Sequence, residues 1–81
     1  MSRIDDLQLF LRVFDAGSIS GAARRLDLSV AVASQRLRAL EQSLGVRLFH
    51  RTTRRMTLSE AGVNYLARIE ALVEELSSVP N

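Results

Sequence analysis

The sequence predicts a mainly α fold, in which a three-helix core carries a small β-hairpin and is followed by one long helix. Three observations predict it. Apolar residues recur at helical spacing in four separate segments. Glycine or serine stands at the breaks between those segments. One short stretch in the second half abandons the helical period and gathers β-branched residues around a polar turn.

In the first segment Ile4, Leu7, Phe10, Leu11 and Phe14 mark one face of a helix running from about residue 3 to Ala16. Gly17 is the expected stop, because a helix end often needs a left-handed residue. Ser18 restarts the chain as an N-cap. Ile19, Ala22, Ala23 and Leu26 follow at i, i+3, i+4 and i+7, a second helix of about two turns whose alanines allow close helix approach. Asp27, Leu28 and Ser29 form a turn, with the Ser29 hydroxyl placed to cap a third helix. That helix shows Ala33, Leu37, Leu40 and Leu44 as an inward stripe and ends at Gly45. Residues 46–50 and 55–58 then flank Arg51, Thr52, Thr53 and Arg54, which reads as a hairpin. Ser59 caps a last helix with Glu60 in its first turn, where a carboxylate favours the helix dipole. Pro80 and its polar neighbours read as a frayed end or a cut linker.

With 81 residues, 47% of them hydrophobic and 25% charged, the chain has the composition of one small folded domain. It has no cysteine, which excludes disulfides and thiolate metal sites and suits a reducing compartment. No apolar run is long enough to span a bilayer, and the first residues lack a signal-peptide core, so a cytoplasmic protein without a membrane partner is expected. The net charge of +2 hides its distribution. Residues 1–17 carry −1 and residues 59–81 carry −3, whereas residues 18–58 carry +6. All eleven basic residues are arginine, which favours planar, bidentate contact with phosphates and guanine edges.

Two helices bridged by a tight turn, with a hairpin behind them, make a winged helix-turn-helix. The major groove of double-stranded DNA admits one helix, and a second must brace it across the backbone. The helix that begins near Val30 is the candidate for the groove, because its outer face carries Val30, Ala31, Ser34, Gln35 and Arg38, none of which asks for burial. Gln35 can make a bidentate contact to adenine, Arg38 can reach guanine or phosphate, and Val30 suits a thymine methyl. Ser18, Ser20 and Ser29 stand at helix starts, where they either bind phosphate together with free backbone N–H groups or only cap. On the wing, Arg51 is assigned to phosphate and Arg54 to a narrow minor groove, with Thr53 and Arg55 beside them. Arg24, Arg25, Arg36 and Arg47 read as solvated surface. His50 is the only histidine, so a zinc site or a histidine-based catalytic triad has no support, and neither a cofactor nor an enzymatic activity is expected.

The last helix carries more apolar surface than one small core covers. Leu58, Gly62, Tyr65, Ile69, Leu72 and Leu76 alternate spacings of four and three, the pattern of a coiled-coil seam, with Val63, Leu66 and Val73 to one side. A homodimer is the expectation, with Tyr65, Ile69, Leu72 and Leu76 on its seam; the alternative, packing on the first three helices, fits the first turns of this helix, and Tyr65 reads as seam or core.

Taken together, the segments Leu9 to Phe14 with Gly17 and Ser18, Ala22 to Leu26, Ser34 to Glu41, Leu44 to Arg51 and Leu58 to Gly62 resemble the N-terminal domain of LysR-type transcriptional regulators. The resemblance covers nearly the whole chain. It implies a winged helix-turn-helix over residues 1–59, with the helix-turn-helix at about 18–44 and the wing at about 46–58, and a dimerising linker helix over 60–78. It implies a dimer, or a tetramer in a longer protein, that reads two half-sites of a DNA operator. It also implies a C-terminal effector domain for a small molecule, which these 81 residues do not contain. Where the family usually opens its recognition helix with Gln-Pro, this sequence has Val30 and Ala31, and where Arg often follows the serine it has Gln35. The alternative is a helical dimerisation module whose basic block is incidental, a reading that steeply salt-dependent DNA binding would separate from the first.

Overall fold

In a computed structural model of the chain, residues 3–51 and 55–77 are described. Helices α1 (Arg3–Ala16), α2 (Ile19–Arg25) and α3 (Val30–Leu44) precede strands β1 (Phe49–Arg51) and β2 (Met56–Leu58), and α4 (Glu60–Ser77) follows. The strands pair antiparallel, with Phe49 opposite Leu58, His50 opposite Thr57 and Arg51 opposite Met56. The outer edge of β2 is tied to the first inter-helix turn, since the Met56 N–H donates to the Gly17 carbonyl at 3.2 Å.

Local chemistry sets the breaks. The hydroxyls of Ser18 and Ser29 accept the N–H groups of Gly21 and Val32 at 3.0 and 3.1 Å, which satisfies one otherwise unpaired donor at the start of α2 and of α3. Gly17 and Gly45 sit at φ of 70° and 71°, the left-handed region where a side chain would be strained. The turn between α2 and α3 instead places Asp27 there, at φ of 57°. An aspartate tolerates that conformation better than most residues. The N–H groups of Asp27 and Leu28 then close back on the carbonyls of Arg24 and Ala23. This two-bond closure satisfies the last carbonyls of α2 and sets the angle at which α3 departs. Ser29→Ala should cost about 1 kcal/mol by removing the α3 cap, read as a lowered urea midpoint at constant m-value.

The core is built from Leu9, Phe10 and Val13 of α1, Ala22 and Ala23 of α2, and Ala33, Leu37 and Leu40 of α3, closed by Leu48, Phe49 and Ile69. The Phe10 ring lies at its centre, 5.3 Å from Phe49 and 4.9 Å edge-on from Tyr65, so one aromatic of α1 joins the hairpin and α4 to the helical layer. Ala22 and Ala23 of α2 and Ala33 of α3 are almost fully covered, as their size allows. The inward face of α1 is rotated from the one expected. Leu9 and Val13 are buried with Phe10, whereas Ile4 is 66% and Phe14 42% exposed. Both faces satisfy a period of 3.6, and the position of α2 and α3 against α1 selects between them.

The hairpin is also shorter than expected. Its first strand starts at Phe49 rather than Val46. The segment before it is held by side chains: the Leu48 N–H donates to the Glu41 carboxylate, and its carbonyl accepts the Ser59 N–H at 2.9 Å. Ser59 is buried, accepts the Gly62 N–H at 2.9 Å and donates its own hydroxyl proton to the Arg47 carbonyl.

The apolar face of α4 is divided along its length. Ile69 is buried and Tyr65 is half-buried against Phe10, so these two expected seam residues belong to the chain's own core. Leu72 at 55% and Leu76 at 76% stay exposed, together with Val63 and Val73.

Candidate nucleic-acid interface

The outer face of α3 lies opposite its buried stripe of Ala33, Leu37 and Leu40. Val30, at 51%, is exposed, as are Ala31, Gln35 and Arg38, while Ser34 is half-buried at the edge of that face. Gln42 is exposed as well and continues the series Ala31, Gln35, Arg38 at i+4, i+7 and i+11. The sequence reading missed it, although that spacing was available. The face is therefore a straight row of short or hydrogen-bonding side chains three turns long, on a helix whose first turn is capped and whose last is closed by Gly45.

Beside the C-terminal half of α3 lies a cleft of about 440 Å³, lined by Arg38, Glu41, Gln42, Arg47 and Arg51 together with Gly45 and Val46. Three guanidinium side chains thus gather where α3 meets the first strand. Arg47, read from the sequence as plain surface, shares the cleft because the Ser59 hydroxyl and the Leu48 peptide hold the connector against α4. Arg51, at the end of β1, and Arg55, just before β2, are exposed. Thr53 and Arg54, assigned to the wing, lie outside the described residues. At the start of α2, Ser18 is engaged as a cap and Ser20 is exposed. Ser29 is likewise engaged as a cap, at the exposed start of α3. Arg24 and Arg25 occupy the last turn of α2, where positive charge favours the helix dipole.

Glu41 is the residue that sequence reasoning passed over most completely. One of its oxygens accepts the N–H groups of Leu48 at 2.7 Å and of Phe49 at 3.4 Å, and the other is 3.6 Å from the Arg51 guanidinium. One of two acids in a basic block reads as a solvated charge, and only the fold brings the connector to it. Among the described residues no group of three or more acidic or histidine side chains is placed to hold a metal ion. Among the same residues no helix is long and apolar enough to cross a membrane.

An exposed polar helix face, a bracing helix behind it and a basic hairpin beside it define a winged helix-turn-helix DNA-binding domain. Residues 4–63 match the family described as bacterial regulatory helix-turn-helix protein, lysR family. The chain belongs to that family. It is similar to the HTH-type transcriptional regulator CrgA of Neisseria meningitidis, with 35% identity over 91% of this chain and 25% of that protein. Among solved structures it is similar to the DNA-binding domain of CbnR in complex with DNA, with a TM-score of 0.81 and 32% identity over 94% of this chain and 87% of that one. It is also similar to the full-length Vibrio cholerae virulence activator AphB, with a TM-score of 0.77 and 38% identity over 95% of this chain and 27% of that one. The chain thus spans about a quarter of the full-length proteins to which it is similar.

Proposed function

We propose that this domain binds a double-stranded DNA operator as a homodimer, with α3 in the major groove and the wing on the neighbouring backbone. The observation that carries this reading is the exposed row Ala31, Gln35, Arg38 on a helix braced by α2 and flanked by the arginine cleft. Residues 1–59 form the DNA-binding unit and 60–78 the linker helix. Val30, Ala31, Ser34, Gln35 and Arg38 read base edges. Ser18, Ser20, Ser29, Arg51, Thr53, Arg54 and Arg55 contact backbone or groove. Exposed Leu72 and Leu76 carry the dimer contact, with Val63 and Val73 supporting it. If the chain is part of a longer protein, a small-molecule effector domain controls transcription there and the assembly is a dimer or a tetramer that works at the nucleoid.

The reading is tested by selecting bound sites from random duplex DNA and then titrating salt. Each phosphate contact contributes about −0.9 to the slope of log K against log salt, so a steep loss of affinity is expected. Gln35→Ala should relax preference at one base position of each half-site, at a cost of about 1 to 3 kcal/mol against the preferred base. Arg51→Ala should weaken all sequences alike and make the salt slope shallower by about one. Equal, sequence-independent losses in the two variants would remove the division between reading and positioning residues.

A further inference from the structure

The Glu41 carboxylate stands between the recognition helix and the hairpin and touches both. Its side chain is only 12% exposed, with one oxygen on the Leu48 and Phe49 N–H groups and the other on Arg51. Its own backbone carbonyl accepts the Val46 N–H at 3.2 Å. A single residue of α3 therefore holds the chain at Val46, Leu48, Phe49 and Arg51, which is the whole path from the end of the recognition helix to the tip of the first strand. The carboxylate approaches the Nη2 end of Arg51. A guanidinium has five N–H donors in a planar fork, so this contact leaves further donors to meet a second anion.

Simple charge counting argues against an acid in that place. The cleft also holds Arg38 and Arg47, and a carboxylate among them lowers the attraction for DNA. We propose that Glu41 is nevertheless a positioning residue for DNA binding: it holds the Arg51 guanidinium at a fixed place beside the outer face of α3, ready for a backbone phosphate. The proposal rests on the DNA-binding reading above. An unheld arginine samples many rotamers and loses that freedom on binding, whereas one held by a carboxylate has already lost it.

The two views predict opposite signs for Glu41→Gln. The amide keeps an acceptor for the Leu48 N–H while losing the charge that holds Arg51. If the carboxylate only repels DNA, the variant binds more tightly. If it positions Arg51, the variant binds about five- to tenfold more weakly at 0.1 M salt, with a salt slope shallower by about one, as in Arg51→Ala. The experiment is a double-mutant cycle of Glu41→Gln and Arg51→Ala on an operator selected from random duplex DNA, with salt titrations and melting curves for all four proteins. The expected result is that the double variant binds no worse than Arg51→Ala alone and selects the same base sequence as the parent. Tighter binding by Glu41→Gln, or additive losses in the double variant, overturns the positioning role while leaving the DNA-binding reading intact. Absence of DNA binding by the unaltered domain at low salt overturns both. Should Glu41→Gln fail to fold, NMR relaxation of the unaltered, DNA-free domain decides the matter. The Arg51 side-chain Nε–H is expected to be more ordered than that of Arg47, and equal mobility of the two overturns the proposal.

Discussion

Gly62→Ala is expected to destabilise the domain by about 3 kcal/mol, lowering its melting temperature by roughly 15 °C for a chain of this size. The expectation runs against helix propensity. Gly62 lies in the first turn of α4 with no positive φ, and an alanine inside a helix is ordinarily favoured over glycine by about 1 kcal/mol. The reversal comes from one close approach. A Cβ on Gly62 would stand 2.0 Å from the Leu48 carbonyl oxygen and 3.0 Å from its carbon. That oxygen belongs to backbone and is fixed by the Ser59 N–H, so it cannot swing aside as a side-chain tip would. Relief requires α4 to move away from the connector, which separates Ser59 from Arg47 and Leu48 and loosens Tyr65 against Phe10. Differential scanning calorimetry measures the effect directly. An unchanged or raised melting temperature would mean that the connector and α4 do not approach this closely.

Leu72→Glu is expected to convert a dimer into monomers and to lower affinity for a two-half-site operator by about 10²- to 10⁴-fold, the gain that linking two half-site contacts provides. Fold stability should change little, because Leu72 is 55% exposed and beyond the last buried residue of α4. Exposed Leu76 and Val73 adjoin it, and together they form an apolar strip left uncovered by the described residues. Sedimentation gives the oligomeric state, and binding to a single half-site gives the control. Half-site affinity should be unchanged, whereas a variant that still sediments as a dimer would move the contact elsewhere. The comparison with Ile69 sharpens the point: Ile69→Glu, one turn earlier, places a charge in the core and should unfold the chain rather than separate protomers.

How far the sequence carried depends on the range of the interaction concerned. The bounds of α1, α2 and α3 follow from caps, glycines and the helical period, all of which act within a few residues, and the structure places them at Arg3–Ala16, Ile19–Arg25 and Val30–Leu44 as expected. The outward face of α3 was legible for the same reason, since its inward stripe of Ala33, Leu37 and Leu40 leaves the opposite side for solvent. The first strand was overextended because Val46, Arg47 and Leu48 have the composition of a strand, while their hydrogen bonds go to Glu41 and to the start of α4 instead. Tyr65 and Ile69 were assigned to a seam because a heptad spacing does not say which neighbour fills it.

The sequence by itself thus determined the order of elements, their bounds in the helical part, the basic central block and the membership of the helix beginning at Val30 in a DNA-reading unit. Tertiary structure alone decided which face of α1 is buried, where the face of α4 passes from core to solvent, why residue 62 must lack a side chain, and that Glu41 joins the recognition helix to Arg51. The physical reason is common to these four. Local periodicity constrains a residue's angle around its own helix, but whether that angle meets a neighbour, a carbonyl, a guanidinium or water depends on chain segments distant in sequence, whose placement no local pattern records.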